Sequence, residues 1–170
     1  MNKPIQVVDE GGNFLGILDS PMQAIKNGSV RLVSRVMITG KDGLYLLQKR
    51  AEDMFVYPGF WDSSAAGHVD EGETAEDAAY RELVEEVGIS DVKLTKAYEY
   101  YDETQENHGF ISKTYNHVYF GTIEIEDEAL KIDPAEVSEV KWFSVDELKH
   151  LVLQPNSVTE GLGKIIKELS

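Results

Sequence analysis

The sequence predicts an α+β fold, or a mixed-sheet sandwich, and three observations carry that expectation. Short runs rich in β-branched and aromatic residues recur along the 170 residues, separated by glycine-containing turns. One segment, Thr74–Val87, has helical periodicity, a threonine placed to cap it and Gly88 after its last turn. Two more helical patterns follow the last strand-like run. Strands interspersed with few helices define this fold class.

In chain order, Ile5–Asp9 and Phe14–Leu18 flank Gly11-Gly12-Asn13 and predict a hairpin. Ser20–Ser29 is polar, holds Pro21 and Gly28, and is expected to be a connection. Arg31–Thr39 and Leu44–Lys49 read as strands joined by a turn at Gly40-Lys41-Asp42-Gly43. Met54–Gly67 mixes aromatics with Pro and Gly, which suggests an ordered loop. Val92–Tyr101, Lys113–Ile125 and Val140–Phe143 are strand-like, and Ser144–Leu153 and Val158–Leu169 helical. One domain over 1–170 is expected, with a hairpin extension (1–29), a core (30–153) and a C-terminal helix (154–170).

Composition narrows the function. Sixteen Lys+Arg against 31 Asp+Glu leave a net charge of −15, which argues against long nucleic acid and against anionic lipid as partners. With 42% hydrophobic residues the chain is no disordered acidic tract. The absence of cysteine excludes disulfides, thiolate metal sites and a cysteine nucleophile. The N-terminus lacks the apolar core of a signal peptide, and no stretch is long enough to span a membrane, so a cytoplasmic location is expected.

The chemistry is concentrated in 67–89, GHVDEGETAEDAAYRELVEEVGI. On a helix Glu82, Glu85 and Glu86 fall at i, i+3 and i+4 and share a face. Three like charges there repel one another, and the nearby helix C-terminus disfavours them further. A hard divalent cation with oxygen ligands would resolve that conflict. Ala79, Leu83 and Val87 form an apolar stripe beside the acids, so the helix can dock while its carboxylates face a cleft. Gly67 and Gly72 let the preceding loop bend and bring carbonyls close to an ion. Arg81 can hold a carboxylate or a phosphate oxygen bidentately. Against this stands the ordinary case of an acidic helix face that is merely solvated.

The spacing decides between the two. Gly67, five residues, Glu73, seven residues, then Arg81-Glu82-Leu83-Val84-Glu85-Glu86-Val87-Gly88-Ile89 matches G-x5-E-x7-R-E-U-x-E-E-x-G-U, U being aliphatic, at every fixed position. This is the Nudix box, and the chain resembles the Nudix hydrolases. Leu46–Arg50, Pro58–Asp62 and Glu136–Phe143 resemble the family's flanking segments, so the likeness spans about 30–153.

The resemblance implies an α/β/α sandwich with a mixed sheet and the box as loop–helix–loop. It implies hydrolysis of a nucleoside diphosphate linked to another moiety, or a related organic diphosphate, by water attacking phosphorus. Glu82, Glu85 and Glu86, with the backbone carbonyl of Ala66, would bind Mg²⁺ or Mn²⁺, and Glu73 and Arg81 would lock loop to helix. The proton acceptor stays open among Glu82, Glu85, Glu136 and Glu139.

The wording Trp61–Val69 and the N-terminal hairpin resemble the branch that includes isopentenyl diphosphate isomerase, a rival chemistry. That enzyme has a catalytic cysteine where this chain has Ala66, and histidine and glutamate ligands before and after the box. Here Arg31–Val36 holds no histidine, Lys113 and Tyr115 stand where acids are needed, and only His68 matches. A third reading is a ligand-sensing domain without turnover, against which the intact box argues.

Beside the expected metal loop His68 is a candidate phosphate or ion contact, and outside the box Lys49 and Arg50 are candidates to neutralise phosphates. Trp61, Phe60 and Tyr57 either stack on a base or anchor the loop by packing. Tyr98, Tyr100 and Tyr101 should decorate both faces of a strand, and the acids of Glu99–Glu106 and Glu124–Glu128 should be exposed. A homodimer is a further possibility, with the hairpin at its interface.

Overall fold

The structure, a computed structural model, describes residues 3–106, 108–124 and 129–169. The hairpin forms as expected from β1 (Ile5–Val8) and β2 (Phe14–Leu18), paired antiparallel. The polar connection after it is in fact a helix, α1 (Pro21–Asn27). Ser20 caps it through Gln23 N, Pro21 occupies the first turn where no N–H is needed, and Gly28 closes it at φ 69°. These end signals outweigh the polar composition of so short a helix.

The centre of the sheet is β3 (Val30–Gly40). Along one edge it pairs in parallel with β8 (Ile111–Ile123), which pairs antiparallel with β7 (Thr95–Gln105). Along the other it meets in succession β1, β6 (Ala65–His68) and β4 (Tyr45–Arg50). The span expected as one ordered loop, Met54–Gly67, thus contains β5 (Trp61–Asp62) as well as most of β6. β4 continues away from β3 to pair with β5 and with β9 (Val137–Phe143). β4 and β6 therefore diverge, and the space between them matters below.

Period-2 alternation sorts β3 onto two faces. Val30, Leu32, Val36 and Ile38 join a core with Ala75, Ala78, Ala79, Leu83 and Val87 of the box segment, and Ser34 Oγ donates to Ala75 O at 2.5 Å. Met37 faces the opposite core, with α3 (Val145–Val152), α4 (Glu160–Glu168), Tyr98 and Tyr100. Tyr101 packs on the first core, so the three tyrosines do divide between faces. Helices cover both sides of a mixed sheet. Of the acids expected to be exposed, Glu99, Glu103 and Glu124 are, whereas Asp102 is buried with Lys164 as its partner and Glu106 is half-buried; 125–128 lie outside the described residues. Among the described residues no helix is long and apolar enough to cross a membrane.

Candidate active site

The box helix starts at a capping box: Thr74 Oγ1 accepts from Asp77 N, and the Asp77 carboxylate accepts from Thr74 N. Regular α2 (Ala75–Glu82) then gives way to a π-helical turn, Leu83–Val87, ending at Gly88 with φ 75°. This departs from the continuous α-helix expected from periodicity. The wider turn leaves Glu82 and Glu86 buried, at 8% and 4% exposure, while the Glu85 side chain stays 46% exposed. The three acids thus separate into a buried pair and one rim residue.

Glu86 enters the space between the diverging strands. Its Oε2 accepts from Gln48 Nε2 on β4 and, at 3.4 Å, from the backbone N of Ala66 on β6. Glu82 lies against Gly67, where an added Cβ would overlap its carboxylate. Burial pushes the Glu82 carboxyl up to about 7, although Arg81 opposes the shift. Burial, followed by the Glu82 charge, raises Glu86 well above the usual carboxylate range. Two acids are thus held where neither is comfortably ionised.

Arg81 is fully engaged within the protein. Nε and Nη2 donate to the two Glu73 oxygens at 2.6 and 3.0 Å. Nη1 donates to Glu82 at 2.6 Å and Glu85 at 3.2 Å, and Nη2 also to His68 O at 3.0 Å. A guanidinium has five N–H groups and all five are used, so none is left for a phosphate. Arg81, with Glu73 as its two-point partner, therefore ties the loop before the helix to the helix itself.

A cavity of about 510 Å³ lies on the other face of β3 and β6, bounded by Ala66, Gly67 and His68. Arg31, Val33 and Arg35, alternate residues of β3, line it together with Arg50 and Tyr57. Arg35 donates to Asn116 at 3.0 Å and Asp62 at 3.2 Å. Arg50 donates to Val56 O at 3.0 Å and lies 3.6 Å from Asp62. Burial and then the surrounding arginines drive His68 down to about 3, so it is neutral, and its Nε2 faces Arg31 Nη1 at 3.0 Å.

Other candidates lie elsewhere. Trp61 packs edge-on against Phe143 at 5.0 Å, with its backbone tied to Ser157 and Thr159, so it anchors the core and does not line the cavity. Of the three loop aromatics only Tyr57 lines it. Glu136 is exposed, and its charge helps to raise Glu86. Glu139 is exposed opposite Lys49. Sequence reasoning missed Arg31, Arg35, Gln48 and Asp62 as site residues. The available signal was two arginines four apart in a mostly apolar strand, a spacing that puts both on one face.

Comparison with known proteins agrees with this architecture. A family model of the NUDIX domain matches residues 30–169. The chain is 35% identical to an uncharacterized Nudix hydrolase of Listeria monocytogenes, covering 73% of this chain and 69% of that one. It is 30% identical to an isopentenyl-diphosphate Delta-isomerase of Pectobacterium atrosepticum, covering 91% and 84% of the two. The crystal structure of DR0079 from Deinococcus radiodurans has the same fold, with TM-score 0.76, 16% identity and coverage of 97% and 98%. The chain belongs to the Nudix hydrolase family, whose members generally use divalent metals.

Proposed function

We propose that this protein is a divalent-metal-dependent pyrophosphohydrolase acting on an organic diphosphate, such as a nucleoside diphosphate linked to another moiety. The observation that carries the reading is the buried Glu82–Glu86 pair beside the Ala66 backbone. Two carboxylates and a carbonyl suit a magnesium-type ion, which keeps several waters and takes only one or two carboxylates. Among the described residues no three acidic or histidine side chains converge as one ligand set. Glu82 and Glu86 are accordingly the protein's principal ligands, with Glu85 joining from the rim if it leaves Arg81. When bound, such an ion neutralises diphosphate charge and acidifies water.

The residues have distinct tasks in this reading. Gln48 and the Ala66 amide orient Glu86 by donating to one oxygen, which leaves the other for the ion. Arg81 fixes Glu82 and ties the loop at Glu73 to the helix. Arg50, reachable from the cavity, offers positive charge to phosphate oxygens.

The isomerase-named relatives motivate a second reading, and the site argues against it. Ala66 provides no thiol, and the one matching histidine, His68, faces a guanidinium. The deciding experiment incubates the protein and Mg²⁺ with nucleotide sugars, dinucleotides and isopentenyl diphosphate, following phosphate-bond cleavage and double-bond migration separately. Cleavage that stops on chelation is the expected result. Migration without cleavage would replace the hydrolase by the isomerase, and tight binding without turnover would make the chain a sensor.

Metal binding should also be visible in stability. Glu82 and Glu86 are raised in the folded state above the ordinary carboxylate value of 4.5. The folded protein therefore holds more protons than the unfolded chain above that pH. Their contribution to stability is greatest below about pH 4.5 and is lost as pH rises toward 7 and beyond. Mg²⁺ should restore it, raising the melting temperature clearly at pH 8 and little at pH 5. A melting shift equal at both pH values would place the ion on other groups.

A further inference from the structure

We propose that Arg31 is a receptor for an oxyanion at the deep end of the cavity, recognising a second anionic group on the diphosphate substrate. This deepens the hydrolase reading and rests on it for the identity of the ligand as substrate. Arg31 is only 7% exposed and lines the cavity. Nη1 faces His68 Nε2 at 3.0 Å and Nη2 donates to Ser112 Oγ. Its Nε is buried with no hydrogen-bond partner among the described residues.

No acid among the described residues forms an ion pair with this guanidinium within 4.0 Å. That contrasts with Arg35 and Arg50, which share Asp62, and with Arg81, which holds Glu73 and Glu82. Glu106 influences Arg31 electrostatically but touches Ser112, not the guanidinium. Glu106, which lines the same cavity, balances this buried charge only from a distance, and an incoming oxyanion would give the guanidinium the direct partner it lacks.

The register fixes where such a group would be. On β3, Arg35 is opposite Ala66, Val33 is opposite His68, and Arg31 lies beyond. Four residues of strand separate Arg31 from Arg35 by about 13 Å. A substrate whose diphosphate lies by Ala66 would present its far end to Arg31, with Met22, Ile25 and Val33 giving the intervening wall apolar surface. The far group is a phosphate monoester or a carboxylate, the two oxyanions a guanidinium fork fits.

The test separates binding from turnover. Inorganic phosphate and acetate are titrated in turn into the metal-free full chain while the arginine Nε–H resonances are followed by NMR. The Arg31 Nε–H signal should shift and saturate with one ion per chain, phosphate alone marking a phosphate monoester and acetate alone a carboxylate. Shifts at Arg35 or Arg50 without one at Arg31, or no shift from either ion, overturn the proposal. This measurement needs no variant and no hydrolysis, so it decides the matter even if every diphosphate survives intact. If hydrolysis occurs, Arg31→Gln should raise KM about 10–100-fold for a dinucleotide bearing a ribose 2′-phosphate, the loss typical of one charged hydrogen-bonded contact. The dinucleotide without that phosphate should be little changed, and equal losses for both count against the proposal. Arg31→Lys, which keeps the charge but not the fork, should fall between.

Discussion

Glu86→Gln should slow metal-dependent turnover by about 10²-fold or more while leaving the metal-free protein as stable as before, or more so. Loss of a metal-binding carboxylate removes transition-state charge stabilisation on that scale. Stability should move the other way for a physical reason. Glu86 is 4% exposed and, in the metal-free protein, has the Gln48 amide and the Ala66 N–H as partners but no cation. A neutral amide of the same shape can accept those two hydrogen bonds without a buried charge. The measurements are steady-state product release with Mg²⁺ and thermal melts with and without the ion. The variant should lose turnover and most of its Mg²⁺-induced stabilisation together. Equal turnover by wild type and variant would move the chemistry away from this residue.

The box was legible because its residues are fixed by spacing along one helix, and a linear pattern can carry that. The strands β3 and β8 were legible as long runs rich in β-branched and aromatic residues, and β4 as a short apolar run just after the Gly40–Gly43 turn. What escaped depended on contacts far apart in the chain. Ser20–Ser29 looked like a connection because a helix with one fully buried residue, Ala24, has little apolar stripe to show. β5 and β6 looked like loop because strands of two and four residues exist only through partners in β3 and β4. The π-helical turn was invisible too, since periodicity gives the register of a helix and not a local change in its winding. At the site, the sequence pointed to three equivalent glutamates and the fold distinguishes them. It also joins Arg31 to Ser112 across 81 positions, a contact only the parallel β3–β8 pairing creates.

The two faces of β6 explain why the site can be built here at all. A Cβ on Gly67 would point at Glu82, while Ala66, His68 and the Gly67 backbone line the cavity. One strand of four residues therefore separates the buried carboxylates from the arginine-lined space, and its backbone is common to both.

Gly67→Ala should accordingly be among the most damaging single-methyl changes in the molecule. Its backbone has no positive φ, so the requirement is for space and not for conformational freedom. The new Cβ would overlap Glu82 Oε1 and Cδ. β6 cannot withdraw, because Ala65, Ala66, Gly67 and His68 are all registered against β3. The Glu82 side chain must move, which breaks its 2.6 Å contact with Arg81 and displaces a carboxylate from the proposed ion's position. Overpacking of this kind costs about 1–3 kcal/mol, which the fold should survive. Activity should fall by about 10²-fold, as for loss of a ligand, because misplacement by about 1 Å has comparable consequences. Gly88→Ala provides the contrast. There φ is 75° and the added Cβ would lie 2.9 Å from Lys131 Cβ, so the cost is strain at the end of the turn and falls chiefly on stability. Melting curves and turnover of the two variants should therefore separate, Gly67→Ala folded and nearly inactive, Gly88→Ala active but easier to melt. If Gly67→Ala instead retained full turnover, Glu82 would not be holding the ion where this geometry puts it.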